Sequence, residues 1–147
     1  MSKYGIPHAK SIYLNQGDQY SAKEIIDQVG LPCFVKPNRS GSSLGISKVH
    51  KEDEFEAAMQ KAFLEDKEVL IESFLDGTEI SVGVLNYKGE TMVLGITEIV
   101  SHTEFFDYDA KYNGLSDEIT PARLTPEVEA RVREIAAKAY KLSLIHI

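Results

Sequence analysis

The sequence predicts an α+β fold, and three observations carry that expectation. Segment 79–85 alternates apolar and polar residues with period two, and Asn86-Tyr87-Lys88-Gly89-Glu90 turns the chain into a second segment at 91–96, the pattern of a β-hairpin. Separate stretches carry helical stripes instead, such as Phe55, Met59, Ala62 and Phe63 at i, i+4, i+7 and i+8. Finally, helices and hairpins follow one another without a repeated strand-helix-strand rhythm, which favours antiparallel sheet over parallel crossovers.

Each element has its own signals. Lys10-Ser11-Ile12-Tyr13-Leu14 reads as a short strand ending at a Gly17-Asp18 turn. Ser21 and Glu24 have the spacing of a capping box ahead of Ile25, Ile26 and Val29, while Gly30 suits the helix stop and Pro32 blocks its continuation. Cys33-Phe34-Val35-Lys36 is a strand, separated from Ile46-Ser47-Lys48-Val49 by a run of small and polar residues over 38–45. A helix is expected over about 51–64, then a buried strand Val69-Leu70-Ile71-Glu72 and the hairpin. From Val100 to Thr120 the periodicity dissolves, and a loop this long in a compact domain is functional or disordered; Phe105, Phe106, Tyr108 and Tyr112 speak against disorder. Thr125 as N-cap and Pro126 as first residue open a last helix, with Val128, Val132, Ile135 and Ala139 expected to form its buried stripe. Leu142, Leu144, Ile145 and Ile147 then alternate as an apolar tail, read as a truncated or artefactual end.

Composition narrows the functional classes. The 147 residues suit one ordinary domain or one lobe and a half of a larger protein, with 43% apolar and 27% charged residues, as in soluble globular proteins. Sixteen Lys and Arg against 23 Asp and Glu leave a formal charge of -7, which argues against a general nucleic-acid or acidic-membrane binder. The one cysteine, Cys33, makes neither an intrachain disulfide nor a cysteine-rich zinc site, and fits a reducing cytoplasm. No run approaches the roughly 18 apolar residues of a membrane span. His8, His50, His102 and His146 lack metal-ligand spacing, and there is no Gly-x-Ser-x-Gly elbow.

Three constellations could carry chemistry. Lys36 stands before Asn38-Arg39-Ser40-Gly41-Ser42-Ser43-Leu44-Gly45, where small residues let amides and hydroxyls approach a phosphate beside a cation. It is not a Walker A sequence, and a plain turn explains it as well. Glu72-Ser73-Phe74-Leu75-Asp76-Gly77-Thr78-Glu79 would form a hinge whose backbone can bond a purine edge and whose carboxylate can accept from ribose; a loop of solvated acids is the simpler reading. Phe106-Asp107-Tyr108-Asp109-Ala110-Lys111-Tyr112 could close over a substrate and bring a Lys to a phosphoryl group, or be a surface loop packed on its own aromatics.

Taken together and in order, the three segments resemble the D-alanine-D-alanine ligases over roughly residues 3–141: the first their glycine-rich lid, the second their adenine hinge and ribose segment, the third their omega loop. The resemblance implies an ATP-grasp fold with ATP between two α+β lobes, residues 1–75 as the central lid subdomain and 76–141 as the start of the C-terminal lobe with the omega loop at 101–120. It implies that Lys36 contacts ATP phosphates, Ser42 and Ser43 belong to the lid, Glu72 and Leu75 hold the adenine edge, and Glu79 the ribose. Lys111 would reach the terminal phosphate, and Tyr112 would bridge to Ser42 and favour D-alanine as second substrate.

The implied reaction joins two D-alanines through a D-alanyl phosphate, giving D-alanyl-D-alanine for peptidoglycan, in the cytoplasm, by a homodimer using ATP and magnesium or manganese. The family's N-terminal domain, its metal-binding Asp and Glu-x-Asn and its catalytic Arg have no counterpart in the sequence, so the residues match an internal fragment whose parent would catalyse. Two alternatives accompany that reading: another ATP-grasp carboxylate–amine ligase, and a non-catalytic nucleotide-binding module.

Overall fold

In the computed structural model, which describes residues 2–105 and 111–143, the chain lays down two antiparallel sheets in succession. The first contains β1 (Ser11–Asn15), β2 (Cys33–Pro37), β3 (Ser47–Val49) and β4 (Glu68–Ser73), in the order β1-β4-β2-β3. The second contains β5 (Glu79–Tyr87), β6 (Glu90–Ser101) and β7 (Ser116–Ile119), in that order. Helices α1 (Ala22–Val29) and α2 (Glu52–Glu65) pack on the first sheet, and α3 (Pro126–Ser143) lies against β5 and β6.

The first sheet closes around its own core. Phe55 and Met59 of α2, with Val35, Ile71, Val49, Val69 and Cys33, are fully buried, and Ile25 and Val29 of α1 join them. Burial of each large apolar side chain contributes about 1.5–3 kcal/mol. The helix ends follow their local chemistry. The Glu24 amide donates to the Ser21 hydroxyl at 3.4 Å, and the Gly30 amide closes α1 onto the Ile26 carbonyl at 2.7 Å. At α2 the Glu54 carboxylate accepts from the His50 and Lys51 amides at 2.8 and 3.4 Å, which holds this carboxyl below its usual range.

Strand periodicity then decides what faces outward. Cys33, Val35 and Pro37 point into the core, so Phe34 and Lys36 lie on the opposite face. Phe34 is paired with Glu72 and with Lys48, which carries all three onto that open face. The hinge between the sheets spans Phe74 to Thr78, delivered by the end of β4 and released into β5.

The second sheet differs from expectation in three places. The segment expected to be irregular from Val100 to Thr120 contains the end of β6 and all of β7, whose Ser116–Ile119 residues pair with Glu98–Ser101. Ser-Asp-Glu-Ile has no period-two pattern; the neighbouring strand specifies it. The stripe of α3 is not buried: Val128 is 46% exposed, and Val132, Ile135 and Ala139 are half-buried, because among the described residues this helix packs chiefly on one layer of sheet, β5 and β6. Leu142 and Ser143 belong to α3 rather than to a tail, whereas Leu144, Ile145 and Ile147 lie outside the described residues. So do Phe106, Asp107, Tyr108, Asp109 and Ala110 of the long loop.

Candidate functional site

The open face of the first sheet and the near edge of the second enclose a cleft of about 260 Å3, lined by Phe34, Lys36, Ser43, Ile46, Glu72, Glu79, Phe105 and Lys111. Five residues singled out from sequence, namely Lys36, Ser43, Glu72, Glu79 and Lys111, therefore share one space although they span 75 positions from Lys36 to Lys111. A larger cavity of about 730 Å3 adjoins it through Phe34, Glu79 and Phe105 and continues along the hinge, Phe74 to Thr78, where Leu75 lies. Leu75 is 65% exposed at that position. Ser42 and Tyr112 line neither cavity; they meet each other, next in sequence to Ser43 and Lys111, which line the smaller one.

Local folding explains each placement. Lys36 and Glu72 occupy the same face of β2 and β4, and their side chains form an ion pair at the floor of the cleft. The loop over 38–45 is anchored at both ends. At its start, the Asn38 amide donates to the Glu68 carbonyl at 2.9 Å, and the Arg39 amide and guanidinium donate to Asp66 at 2.8 and 3.3 Å. The Arg39 hydrogen bond, opposed by burial, holds the Asp66 carboxyl below its usual range. At the loop's end, Gly45 is buried with φ +76°, and a Cβ there would sit 2.7 Å from Glu65 Cγ and 3.2 Å from Pro37 Cγ. Lys61 Nζ donates to the Ile46 carbonyl at 2.9 Å just beyond.

Between these anchors the tip reaches the other sheet. Ser42 Oγ and Tyr112 Oη are 2.7 Å apart, and Lys111 Nζ donates to Ser43 Oγ at 2.6 Å. Phe105 packs edge-on against Phe34 with ring centroids 5.2 Å apart. Glu79 has its carboxyl raised by burial, with Lys111 pulling the other way. The cleft thus combines two ammonium groups, the Ser43 hydroxyl, two carboxylates and an apolar wall of Phe34, Ile46 and Phe105. Such a set can hold a polyanion at one end and a flat apolar group at the other.

Some of the site was not foreseen. Phe34 read as a strand residue and Phe105 as loop packing, yet both bound the two cavities. Behind them, Glu98 is 6% exposed and accepts from the Arg123 amide at 3.1 Å and from its guanidinium at 2.9 and 2.5 Å. These bonds, the side-chain ones foremost, hold the Glu98 carboxyl down at about 2. A lone acid inside Ile96-Thr97-Glu98-Ile99-Val100 was the available signal, because a buried carboxylate requires a partner. Among the described residues no group of three or more His, Cys, Asp or Glu could hold a metal ion, so these residues do not furnish a metal site. No helix among them is long and apolar enough to cross a membrane.

Comparison with known proteins points to one family. A family model described as "D-ala D-ala ligase C-terminus" matches residues 1–145. The chain is 59% identical over 142 residues to a D-alanine-D-alanine ligase of Flavobacterium johnsoniae, covering 97% of this chain and 44% of the relative. It is 61% identical over 140 residues to that of Flavobacterium psychrophilum, covering 95% and 43%. Among solved structures it is similar to the VanG D-Ala:D-Ser ligase from Enterococcus faecalis, with TM-score 0.78, 38% identity, and coverage of 95% of this chain and 41% of that one. It is also similar to the D-alanine-D-alanine ligase from Bacillus anthracis, with TM-score 0.75, 33% identity and coverage of 95% and 44%. The chain spans less than half the length of the relatives it matches.

Proposed function

The chain belongs to the D-alanine-D-alanine ligase C-terminal family and has its ATP-grasp, α+β fold, and on that premise we propose that it supplies the ATP site of a ligase joining two D-alanines. The observation that carries the reading is the convergence of Lys36, Ser43, Glu72, Glu79 and Lys111 on one cleft between two sheets. Residues 1–75 act as the lid subdomain and 76–141 as the start of the C-terminal lobe. The activity is that of a protein of the relatives' full length, a cytoplasmic homodimer making D-alanyl-D-alanine for peptidoglycan.

In this reading Lys36 and Lys111 neutralise phosphate oxygens from the two sides of the cleft. Lys36 is held ready by Glu72, whose carboxylate keeps the ammonium on the sheet face; it then shares that ammonium with the nucleotide. Ser42 and Ser43 present hydroxyls at the tip of the lid, and their contacts with Tyr112 and Lys111 close it over the phosphates, excluding water from an acyl phosphate that water would hydrolyse. Glu72 and Leu75 hold the adenine edge, Glu79 accepts from ribose hydroxyls, and Phe34 and Phe105 supply the apolar wall for the base. Magnesium or manganese belongs to the proposed reaction, but the described residues provide no cluster for it, so none of these roles depends on it.

The reaction breaks the γ-phosphate bond of ATP when a D-alanine carboxylate attacks it. The amine of a second D-alanine then displaces phosphate from the acyl carbon. Similarity to a D-Ala:D-Ser ligase makes D-serine the natural competitor for the second position, and Tyr112 favours D-alanine. The test is ADP and dipeptide formation by the full-length protein carrying this chain, with D-alanine alone and with D-alanine plus D-serine. D-alanyl-D-alanine as main product supports the reading, D-alanyl-D-serine replaces it with the related ligase, and nucleotide binding without either product reduces it to a binding module.

A further inference from the structure

One side-chain cluster lies between the two sheets and plays no part in the roles assigned so far. Lys48, on the open face of β3, has a side chain only 11% exposed; its Nζ lies 4.5 Å from the centroid of the Phe74 ring and 3.6 Å from Glu104 Oε1. His50, just past the same strand, contacts that same oxygen through Nε2. Two basic side chains of the first sheet thus converge on one carboxylate of the second lobe. Lys48 and His50 line neither cavity of the site, whereas Glu104 and Phe74 border the larger one.

The turn that carries Glu104 is shaped to present it. The Thr103 and Ser101 hydroxyls donate to the Phe105 carbonyl at 2.6 and 3.0 Å, and the two hydroxyls lie 2.9 Å from each other. Fixing that carbonyl directs Phe105 inward against Phe34 while Glu104 reaches across to β3. The return path is tied as well. The His102 amide donates to the Leu115 carbonyl at 2.8 Å, and its ring meets Asp117 at 2.9 Å, so both ends of the intervening segment leave the same point of the second sheet. Lys111 and Tyr112 lie within that segment, at the two lid contacts.

We infer that Glu104 is a positioning residue: by joining Lys48 and His50 it sets the lobe separation at which Lys111 meets Ser43 and Tyr112 meets Ser42. The inference rests on reading the cleft as a nucleotide site, but the contact itself exists without a ligand. Glu104 is about half exposed, so its effect is modest and screened by salt.

Hydrogen exchange on the full chain without nucleotide tests this, comparing peptides over 111–116 in the wild type, Glu104→Gln, His50→Gln and the double variant. The expected result at low salt is exchange faster by about two- to fivefold in Glu104→Gln, a smaller increase in His50→Gln, which leaves the Lys48 pair in place, and no gain of the double variant over Glu104→Gln. The wild type should converge on the variants in about 1 M salt, and exchange over 52–65 should not move. A merely structural loss would move 52–65 too. Unchanged exchange over 111–116, or additive effects of the two substitutions, overturns the inference. His50→Gln reads the same contact should Glu104→Gln fold poorly. ATP titration of the same samples separates the two claims: a two- to fivefold weaker midpoint in Glu104→Gln, about the exchange factor, supports the positioning role, and an unchanged midpoint overturns it. A wild-type chain that shows the exchange coupling but binds no ATP removes the nucleotide reading and leaves the inter-lobe contact.

Discussion

The two sheets that form the cleft are held by different means. The four-stranded sheet rests on a sealed apolar core in which Phe55, Met59, Val35 and Ile71 are fully buried. The three-stranded sheet buries Ile96 and Ile99 and otherwise relies on polar ties, chiefly Glu98 with Arg123, while α3 buries no residue completely. The comparison teaches where rigidity resides. Lys36 and Glu72 are mounted on a packed floor, whereas Lys111 and Tyr112 are mounted on a wall positioned by hydrogen bonds and charges. For the nucleotide role proposed above, one fixed and one adjustable side would let the cleft open for ATP and close for chemistry.

The sharpest way to break this comparison is to cut into each support. Phe55→Ala should cost about 3–5 kcal/mol in urea unfolding, because it removes a ring from a filled core. Val128→Ala on α3 should stay within about 0.5 kcal/mol, as for other half-exposed positions. Comparable losses at both positions would mean that the second sheet has a core of its own.

Acid provides the second test. Glu98 has its carboxyl lowered to about 2, against about 4.3 for an unfolded glutamate. Its contribution is complete above the unfolded value and is lost as pH falls from there toward 2. The stability difference between wild type and Glu98→Gln should therefore shrink as urea midpoints are measured from pH 5 down to pH 2.5. Parallel curves would show that the Arg123 contact contributes nothing through charge.

The two walls should also differ in binding. Lys36→Ala removes charge-assisted contacts worth about 1.5–3 kcal/mol, or about ten- to hundredfold in ATP affinity. Tyr112→Phe removes one neutral hydroxyl contact; it should speed exchange over 111–116 and weaken ATP by roughly threefold or less. Equal losses in a direct ATP titration would erase the distinction between floor and wall.

How much of this was legible in the sequence follows the same division. Elements with local signals were readable: Ser21 and Gly30 bracket α1, Thr125 and Pro126 open α3, a short apolar run marks β2 and alternation marks β5. Lys36, Ser43, Glu72, Glu79 and Lys111 were singled out by the family resemblance that the order of their three segments carries, and the fold places them together. What escaped was specified by partners far away. β7 is a strand because β6 offers it a register, the α3 stripe has period but no second layer, and Glu98 finds Arg123 25 residues later. Lys48, His50 and Glu104 look like ordinary solvated charges until the two sheets face each other.

At the tip of the loop over 38–45, Ser42 and Ser43 have φ of +54° and +60°, a left-handed conformation in which a non-glycine residue costs about 1–2 kcal/mol. Glycine would sit there without strain but would bring no hydroxyl to Tyr112 or Lys111. The loop therefore favours reach over comfort: its tip is a tensioned clasp, and replacing either serine with glycine would make it easier to form and worse at fastening.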